Sequence, residues 1–351
     1  MRVTGMAQWE AWQARTEPPV EEVRPGLWSI PVPIPDNPLR YTLCHLLTGS
    51  TGLVVVDPGW DSDAGWRALE EGLKSAAVTP ADVTGIVVTH VHPDHHGLTA
   101  RLRDASGAWV AMHPAERDSL PARAWRAAPD TDADGVWLAE AGVPAGVVAE
   151  LGWKAGIVAL LMGMPEPDVL LEDGDAVPLP GRRLTAVWTP GHTPGHLCLY
   201  EQDEDVLLTG DHVLPRISPN ISLHPNSPAP PLGTYLASLE RTASYDSAEA
   251  LPAHEYRFHG LASRTGALRA HHEDRLAEIL AVIGALGPTT AWQVTERLTW
   301  SRGWDSIQDT LRRSALGETL AHLVLLVERG QLAPHHPGSG SPVLYTLAGP
   351  G

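Results

Sequence analysis

The sequence is poor in the features that would place it in several large protein classes. It has two cysteines, Cys44 and Cys198, in 351 residues, too few for a disulfide framework. Lysine occurs only at Lys74 and Lys154, and 25 basic residues face 42 acidic ones, a formal net charge of −17. An acidic surface of that size repels nucleic acid and anionic membrane, so neither is an expected partner. No apolar run approaches the roughly 20 residues that span a bilayer. The first 23 residues are polar, with Glu10, Glu17, Glu21 and Glu22. They lack the basic start, apolar run and small-residue cleavage site of a secretory signal, so the expected location is the cytoplasm. No G-x-S-x-G stretch occurs, and no Ser-His-Asp or Cys-His device is required.

What is present is histidine in one unusual run, Thr89-His90-Val91-His92-Pro93-Asp94-His95-His96-Gly97. Its spacing is H-x-H-x-D-H. Neutral imidazole is the commonest metal ligand, and a neighbouring carboxylate adds a hard oxygen donor. With 17 histidines in the chain, three at set spacings beside an aspartate point to a metal centre rather than to chance.

Five short apolar runs end abruptly in polar, Gly- or Pro-marked loops: Leu53 to Val56, Gly85 to Thr89, Leu184 to Trp188, Val206 to Leu208, and Ala248 to Leu251. Such runs read as buried strands, with helices over Ala64 to Ser75 and Gly97 to Asp104 between them. The expected class is a layered α/β fold with site residues on loops at strand ends. Residues 115–165 read as a helical cap insert, with helices over Ala122 to Ala128, Val136 to Gly142 and Val147 to Met162. Leu160, Leu161, Met162 and Met164 would give it a greasy face.

From about residue 267 the pattern changes again. Helices over His271 to Leu286, Thr290 to Leu298 and Leu311 to Arg329 precede two short strands, Gln331 to Ala333 and Val343 to Leu347, flanking a Pro/Gly/Ser loop. Three helices and a hairpin resemble a winged helix. Residues 271–351 hold six arginines, no lysine and eight acidic residues, a poor footprint for DNA. A packing or dimerisation module is expected there. The domain reading is therefore 1–24 as an N-terminal extension, 25–266 as the main domain and 267–351 as a small C-terminal domain.

Each remaining strand-end loop offers one more donor. His192 lies in Thr189-Pro190-Gly191-His192, Asp211 in Thr209-Gly210-Asp211-His212, and His254 in Pro252-Ala253-His254-Glu255. With His90, His92, Asp94 and His95 this makes five imidazoles and two carboxylates, enough for two cations with solvent completing their shells. On these motifs, in this order, the chain over roughly residues 25 to 260 resembles the metallo-β-lactamase fold superfamily, nearest the glyoxalase II-like hydrolase branch. Asp57-Pro58-Gly59 matches the family's early aspartate, with Pro58 where threonine is more usual.

The resemblance implies an αββα sandwich. It also implies that His90, His92 and His192 hold one metal, that Asp94, His95 and His254 hold the other, and that Asp211 bridges them. Asp57 would orient a ligand imidazole. The cofactor would be two divalent ions, zinc first, with iron or manganese as alternatives. A water shared by two cations would supply a bridging hydroxide near neutral pH, and Asp94 would orient it and shuttle its proton. The activity implied is hydrolysis of an ester, thioester or lactone, with an acyl thioester or other lipophilic substrate preferred. The best-known secreted β-lactamases carry cysteine where Asp211 stands, which argues against β-lactams. An iron-dependent thiol oxygenase and a ligand-sensing regulator acting through the C-terminal region are the alternatives, and a homodimer is the assembly left open. His96, His196 and His212 sit beside the ligand positions, with His196 the best placed to touch substrate; Tyr256 and Arg257 are further contact candidates.

Overall fold

The computed structural model describes residues 1–123, 132–152, 155–225, 227–338 and 341–349. They form two compact units. The first comprises Met1–Ala127, Gly156–Pro219 and Ser238–Gly266; the second comprises Ala128–Ala155, Asn220–Ala237 and Ala267–Gly351.

The first unit is built on two mixed sheets. The seven-stranded sheet runs β2 (Glu21–Arg24), β3 (Leu27–Pro33), β4 (Tyr41–Thr48), β5 (Leu53–Val56), β6 (Gly85–Val87), β7 (Trp109–Met112) and β8 (Val169–Leu170). It is antiparallel from β2 to β5 and parallel from β5 to β8. The six-stranded sheet runs β1 (Arg2–Val3), β13 (Phe258–His259), β12 (Glu249–Pro252), β11 (Val206–Gly210), β10 (Leu197–Glu201) and β9 (Leu184–Trp188). Its single parallel pair is β11 with β12.

Side-chain alternation places a core on each face of the first sheet. Val54, Val56, Val87 and Ala111 meet Leu184, Ala186, Leu197, Leu199, Val206, Leu208 and Leu251 of the second sheet. Leu53, Val55, Ile86 and Val110 point the other way, onto Leu69 and Leu73 of helix Asp63–Ser75 and Leu98 and Leu102 beside and within helix Thr99–Ser106. A strand buried on both faces must be apolar throughout, which is why Leu53–Val56 reads as an unbroken run. Each such side chain contributes about 1.5–3 kcal/mol when fully buried.

Helix Asp63–Ser75 starts where the Ser62 hydroxyl accepts from the Gly65 N–H at 2.9 Å. Asp63 and Lys74 sit at the ends that favour their charges. The helix lies close on the sheet because Gly72 has no side chain: a Cβ there would come within 2.2 Å of Ile30. The helix expected over Gly97 to Asp104 is found at Thr99–Ser106, and a separate turn of helix, Pro93–His96, precedes it. The polar first 24 residues hold more order than their composition signals. β1 pairs with β13, and a helix covers Met6–Ala14. No described helix is long and apolar enough to cross a membrane.

The insert over 115–165 is shared between the units. The single helix expected over Val147 to Met162 is broken. A turn of helix at Ala145–Val148 and a 3-10 turn at Ala149–Leu151 end at Gly152, whose ψ of 154° is extended. Helix then resumes at Ala155–Met162. The helix expected over Ala122 to Ala128 lies outside the described residues beyond Arg123.

In the second unit, helices Leu261–Leu286, Ala291–Thr295 and Asp309–Glu328 are followed by the antiparallel pair β14 (Leu332–His335) and β15 (Leu344–Leu347). Thr290 opens the middle helix through a capping box with Gln293. The insert helix Ala133–Glu140 packs here: Arg313 pairs with Asp134 and lies over the Trp137 ring, and Ala141 C=O accepts from Trp292 N–H.

Two buried imidazoles also lie in this unit. His272 donates through Nδ1–H to His322 Nε2 at 3.1 Å, since His322 Nδ1–H is already given to the Glu318 carbonyl at 2.7 Å. Burial, with neighbouring imidazoles and Arg275, pushes His272 down to about 2 and His322 down to about 4. A base with a lowered folded pKa binds fewer protons folded than unfolded, so its stabilising effect is lost as pH falls from about 6.5 toward the folded values. Hydrogen-exchange protection of the Leu320–Leu326 amides should therefore drop between pH 7 and pH 5, by about 1.4 kcal/mol per pH unit for each histidine at most. The drop should shrink in His272→Phe; equal drops in both proteins would show that the pair does not set the acid response.

Candidate metal centre

The expected donors all converge in the first unit, on loops at strand ends. His90 and His92 follow β6, His192 follows β9, Asp211 follows β11 and His254 follows β12. Asp94 and His95 lie on the one-turn helix Pro93–His96. Among the described residues, donor groups within 4.8 Å of one another form at His90, His92 and His192, and again at Asp94, His95 and His254.

In the first group three ring nitrogens face each other. His90 Nε2 is 3.0 Å from His92 Nδ1 and 3.2 Å from His192 Nε2, and the latter two are 3.1 Å apart. Hydrogen bonds cannot satisfy all three edges. The Thr89 hydroxyl donates to Asp57 Oδ2 at 2.7 Å, so its oxygen accepts from His90 Nδ1–H at 3.0 Å. That fixes a lone pair on His90 Nε2, and whichever of His92 and His192 carries a proton here, at least one edge joins two lone pairs or two protons. A tetrahedral zinc with Zn–N near 2.0–2.1 Å separates its nitrogens by about 3.3 Å, close to the observed triangle.

The second group is built the same way. His95 donates Nδ1–H to Asp57 Oδ2 at 2.8 Å, and His254 donates Nδ1–H to the Tyr41 carbonyl at 2.8 Å. The neutral form of each ring therefore turns its Nε2 lone pair inward, and neither Nε2 makes a hydrogen bond; nor does Asp211 Oδ1. Asp94 Oδ2 lies 3.7 Å from His95 Nε2 and 3.4 Å from His254 Nε2. Asp211 stands between the groups, with Oδ1 3.2 Å from His254 Nε2 and Oδ2 3.6 Å from His95 Nε2 and 3.8 Å from His192 Nε2. A buried cluster of two carboxylates and facing imidazoles is costly unless positive charge, from ring protons or a bound cation, lies among them. The residues present thus fit two metal ions.

The two groups differ in electrostatics, and the carboxylates of the second draw positive charge into it. Burial works against charge on His254, but Asp211 and Asp94 overcome it and push the imidazole up to about 10. Burial likewise opposes the Asp94 carboxylate, yet His95 and His254 hold it down to about 2. His92, buried and facing His192, is pushed down to about 3. One group prefers neutral nitrogens; the other is a charged mixture.

Asp57 does what the sequence pattern implied, and more. It is 2% exposed, sits at φ +52° just past β5, and accepts from the Thr89 N–H at 2.8 Å. It therefore fixes His95 directly and His90 through Thr89.

The neighbouring histidines turn inward to the scaffold. His196 Nε2 accepts from the Asp211 N–H at 3.2 Å and its Nδ1–H meets Thr189 Oγ1 at 2.9 Å. It is fully buried, so its place is behind the Asp211 loop and not against substrate. His96 bridges Thr99 Oγ1 and the Pro165 carbonyl, and His212 meets Thr242 Oγ1 at 2.9 Å. Arg257 is held by Glu249 and Glu21, and the Tyr256 ring packs edge-on to Trp12. Cys44 and Cys198 are both free and buried, with the Cys198 thiol pushed up to about 12 by burial.

One residue escaped the sequence reading. Glu116 is completely buried, and its carboxylate accepts from the Val91 N–H at 2.6 Å, the Thr193 hydroxyl at 2.9 Å and the Gly195 N–H at 2.8 Å. Burial raises its pKa to about 7 against the pull of these donors. The available signal was positional: His113-Pro114-Ala115-Glu116 follows directly on β7, at the same end of the sheet as the other site loops.

Comparison with known proteins agrees with this architecture. Residues 37–254 match the model of the metallo-beta-lactamase superfamily. A solved metallo-beta-lactamase family protein from Thermus thermophilus superposes with a TM-score of 0.78 at 32% identity, over 93% of this chain and 100% of that one. The lactamase-like protein adaB of Aspergillus niger is 26% identical over 70% of this chain and 59% of its own length. The acyl-coenzyme A thioesterase MBLAC2 of Homo sapiens is 32% identical over 48% of this chain and 57% of its own. The matched region thus spans less than two thirds of either curated relative. With the family model covering the strands and loops that carry every one of these donors, the chain belongs to the metallo-beta-lactamase superfamily.

Proposed function

We propose that the protein is a dinuclear metal-dependent hydrolase, with an acyl thioester as the preferred substrate among esters, thioesters and lactones. The observation that carries this reading is the pair of converging donor groups with Asp211 between them. His90, His92 and His192 would hold one cation; Asp94, His95 and His254 would hold the other; Asp211 would touch both. Imidazole and carboxylate donors suit zinc, with iron or manganese as alternatives. When bound, such a pair of cations activates water and polarises the carbonyl under attack.

The chain's own residues supply the rest. Asp94, the more exposed of the two inward carboxylates at 14% against 10% for Asp211, would orient the attacking water and hold its proton for the leaving group. Asp57 and the Tyr41 carbonyl keep the imidazoles turned so that their inward nitrogens carry lone pairs. The thioester preference draws on the relative named as an acyl-coenzyme A thioesterase. It also draws on helix Ala155–Met162, which exposes Val158 and Met162 while Leu161 packs inward. The chain following that helix is tied to the site through the bond from His96 to Pro165. The C-terminal helices and hairpin read as a winged-helix-like packing or dimerisation module.

Elemental analysis of protein purified without added metal should give close to two transition-metal ions per chain. Asp211→Ala should lower that content and reduce kcat/KM by at least about 100-fold; a variant keeping two ions and full rate would overturn the bridging role. On a panel of acyl thioesters, lactones, phosphodiesters and β-lactams, acyl thioesters should give the highest kcat/KM. A faster phosphodiester or β-lactam would reject the substrate class. One iron per chain with oxygen uptake on a thiol would reject hydrolysis altogether.

A further inference from the structure

We infer that Glu116 is a positioning residue that sets the spacing of the three-histidine group, by tying the loop of His90 and His92 to the loop of His192 through a single buried carboxylate. The inference rests on the metal assignment proposed above.

The geometry is specific. One oxygen, Oε1, takes the N–H of Val91, the residue between His90 and His92. The other, Oε2, takes the Thr193 hydroxyl and the Gly195 N–H, one and three residues past His192. The loops are pressed against the backbone of Glu116 as well. A Cβ on Gly195 would come within 2.2 Å of the Glu116 nitrogen and 2.6 Å of its Cβ.

The chemistry of the donors explains why the residue is an ionisable one, buried with no cationic partner among the bonds it makes. Two of the three donors are backbone N–H groups, which cannot turn round. Both side-chain oxygens must therefore be acceptors. Among side chains only a carboxylate offers two acceptor oxygens and no donor. An amide of the same shape has to aim its NH2 at either Val91 N–H or Gly195 N–H, so one loop loses its anchor whichever way the amide lies. Burying a carboxylate is expensive. Here it is offset by three hydrogen bonds that hold nitrogens 3.0–3.2 Å apart on two separate loops. Asp57 plays the corresponding part on the other side of His90, so the histidine triangle is braced from both flanks.

The test is Glu116→Gln in the full-length protein. Zinc is titrated against a competing chelator, and histidine-selective NMR reports which imidazoles respond. Affinity of the group formed by His90, His92 and His192 should fall by about 10–100-fold, while the group of His95 and His254 stays within about threefold. Raising zinc should restore kcat with KM for the thioester unchanged, because substrate contacts are intact. Wild-type affinity at both groups, or equal losses at both, would overturn the inference. Should Glu116→Gln fail to fold by circular dichroism, Thr193→Val decides, since it removes one of the three bonds. A several-fold loss confined to the three-histidine group supports the inference, and wild-type affinity overturns it. Fewer than two cations in the wild-type protein would fail the metal assignment itself, which is a different result from two cations held equally well by both proteins.

Discussion

Three imidazole nitrogens held 3.0–3.2 Å apart, with at least one edge that no proton can satisfy, are the constraint around which the site loops are arranged. Lone pairs brought this close repel unless a cation lies among them. The scaffold must therefore supply the force that holds them there. For three of the five site imidazoles it does so with a buried hydrogen bond on the far side of the ring. His90 is held by Thr89, His95 by Asp57 and His254 by the Tyr41 carbonyl. Each of these bonds takes the outer ring proton and so decides that, in the neutral ring, the inner nitrogen carries the lone pair.

These outer partners depend in turn on the sheets. Asp57 leaves β5 and Thr89 follows the end of β6, and the two strands pair in parallel, so the carboxylate meets the Thr89 N–H and hydroxyl side by side. The Asp57 backbone lies at φ +52°, a conformation that few residues other than glycine, asparagine and aspartate accept readily. The inter-sheet core holds β5 and β6 in register with packed valines and leucines. Packing, sheet register, hydrogen bond and tautomer form one chain of causes ending at the metal ligands.

Much of this was legible before any coordinates. β5 is central and apolar on both faces, and both it and the edge strand β9 have the bounds the runs Leu53 to Val56 and Leu184 to Trp188 implied. The metal ligands stood out because four donors fall within six consecutive residues and each later strand-end loop adds one more. β3 was harder to see, since Pro31 and Pro33 break its pattern although its residues pair in full with β4. The break at Gly152 was hidden for the opposite reason: apolar residues lie on both sides of it, and apolar content alone does not separate one helix from two.

The sequence by itself determined the donor types, their order along the chain and the strands that deliver them, because local spacing and local hydrophobicity carry that information. Only the tertiary structure decided which polar residues stand behind the donors. Glu116 is one of 42 acidic residues with no local pattern to mark it, and its part depends on residues 91, 193 and 195 arriving at one carboxylate. His196 looked like a substrate contact and lies behind Asp211 instead. The physical reason is the same in both cases. A hydrogen bond is directional and short, so its partners are fixed by where distant segments of chain meet.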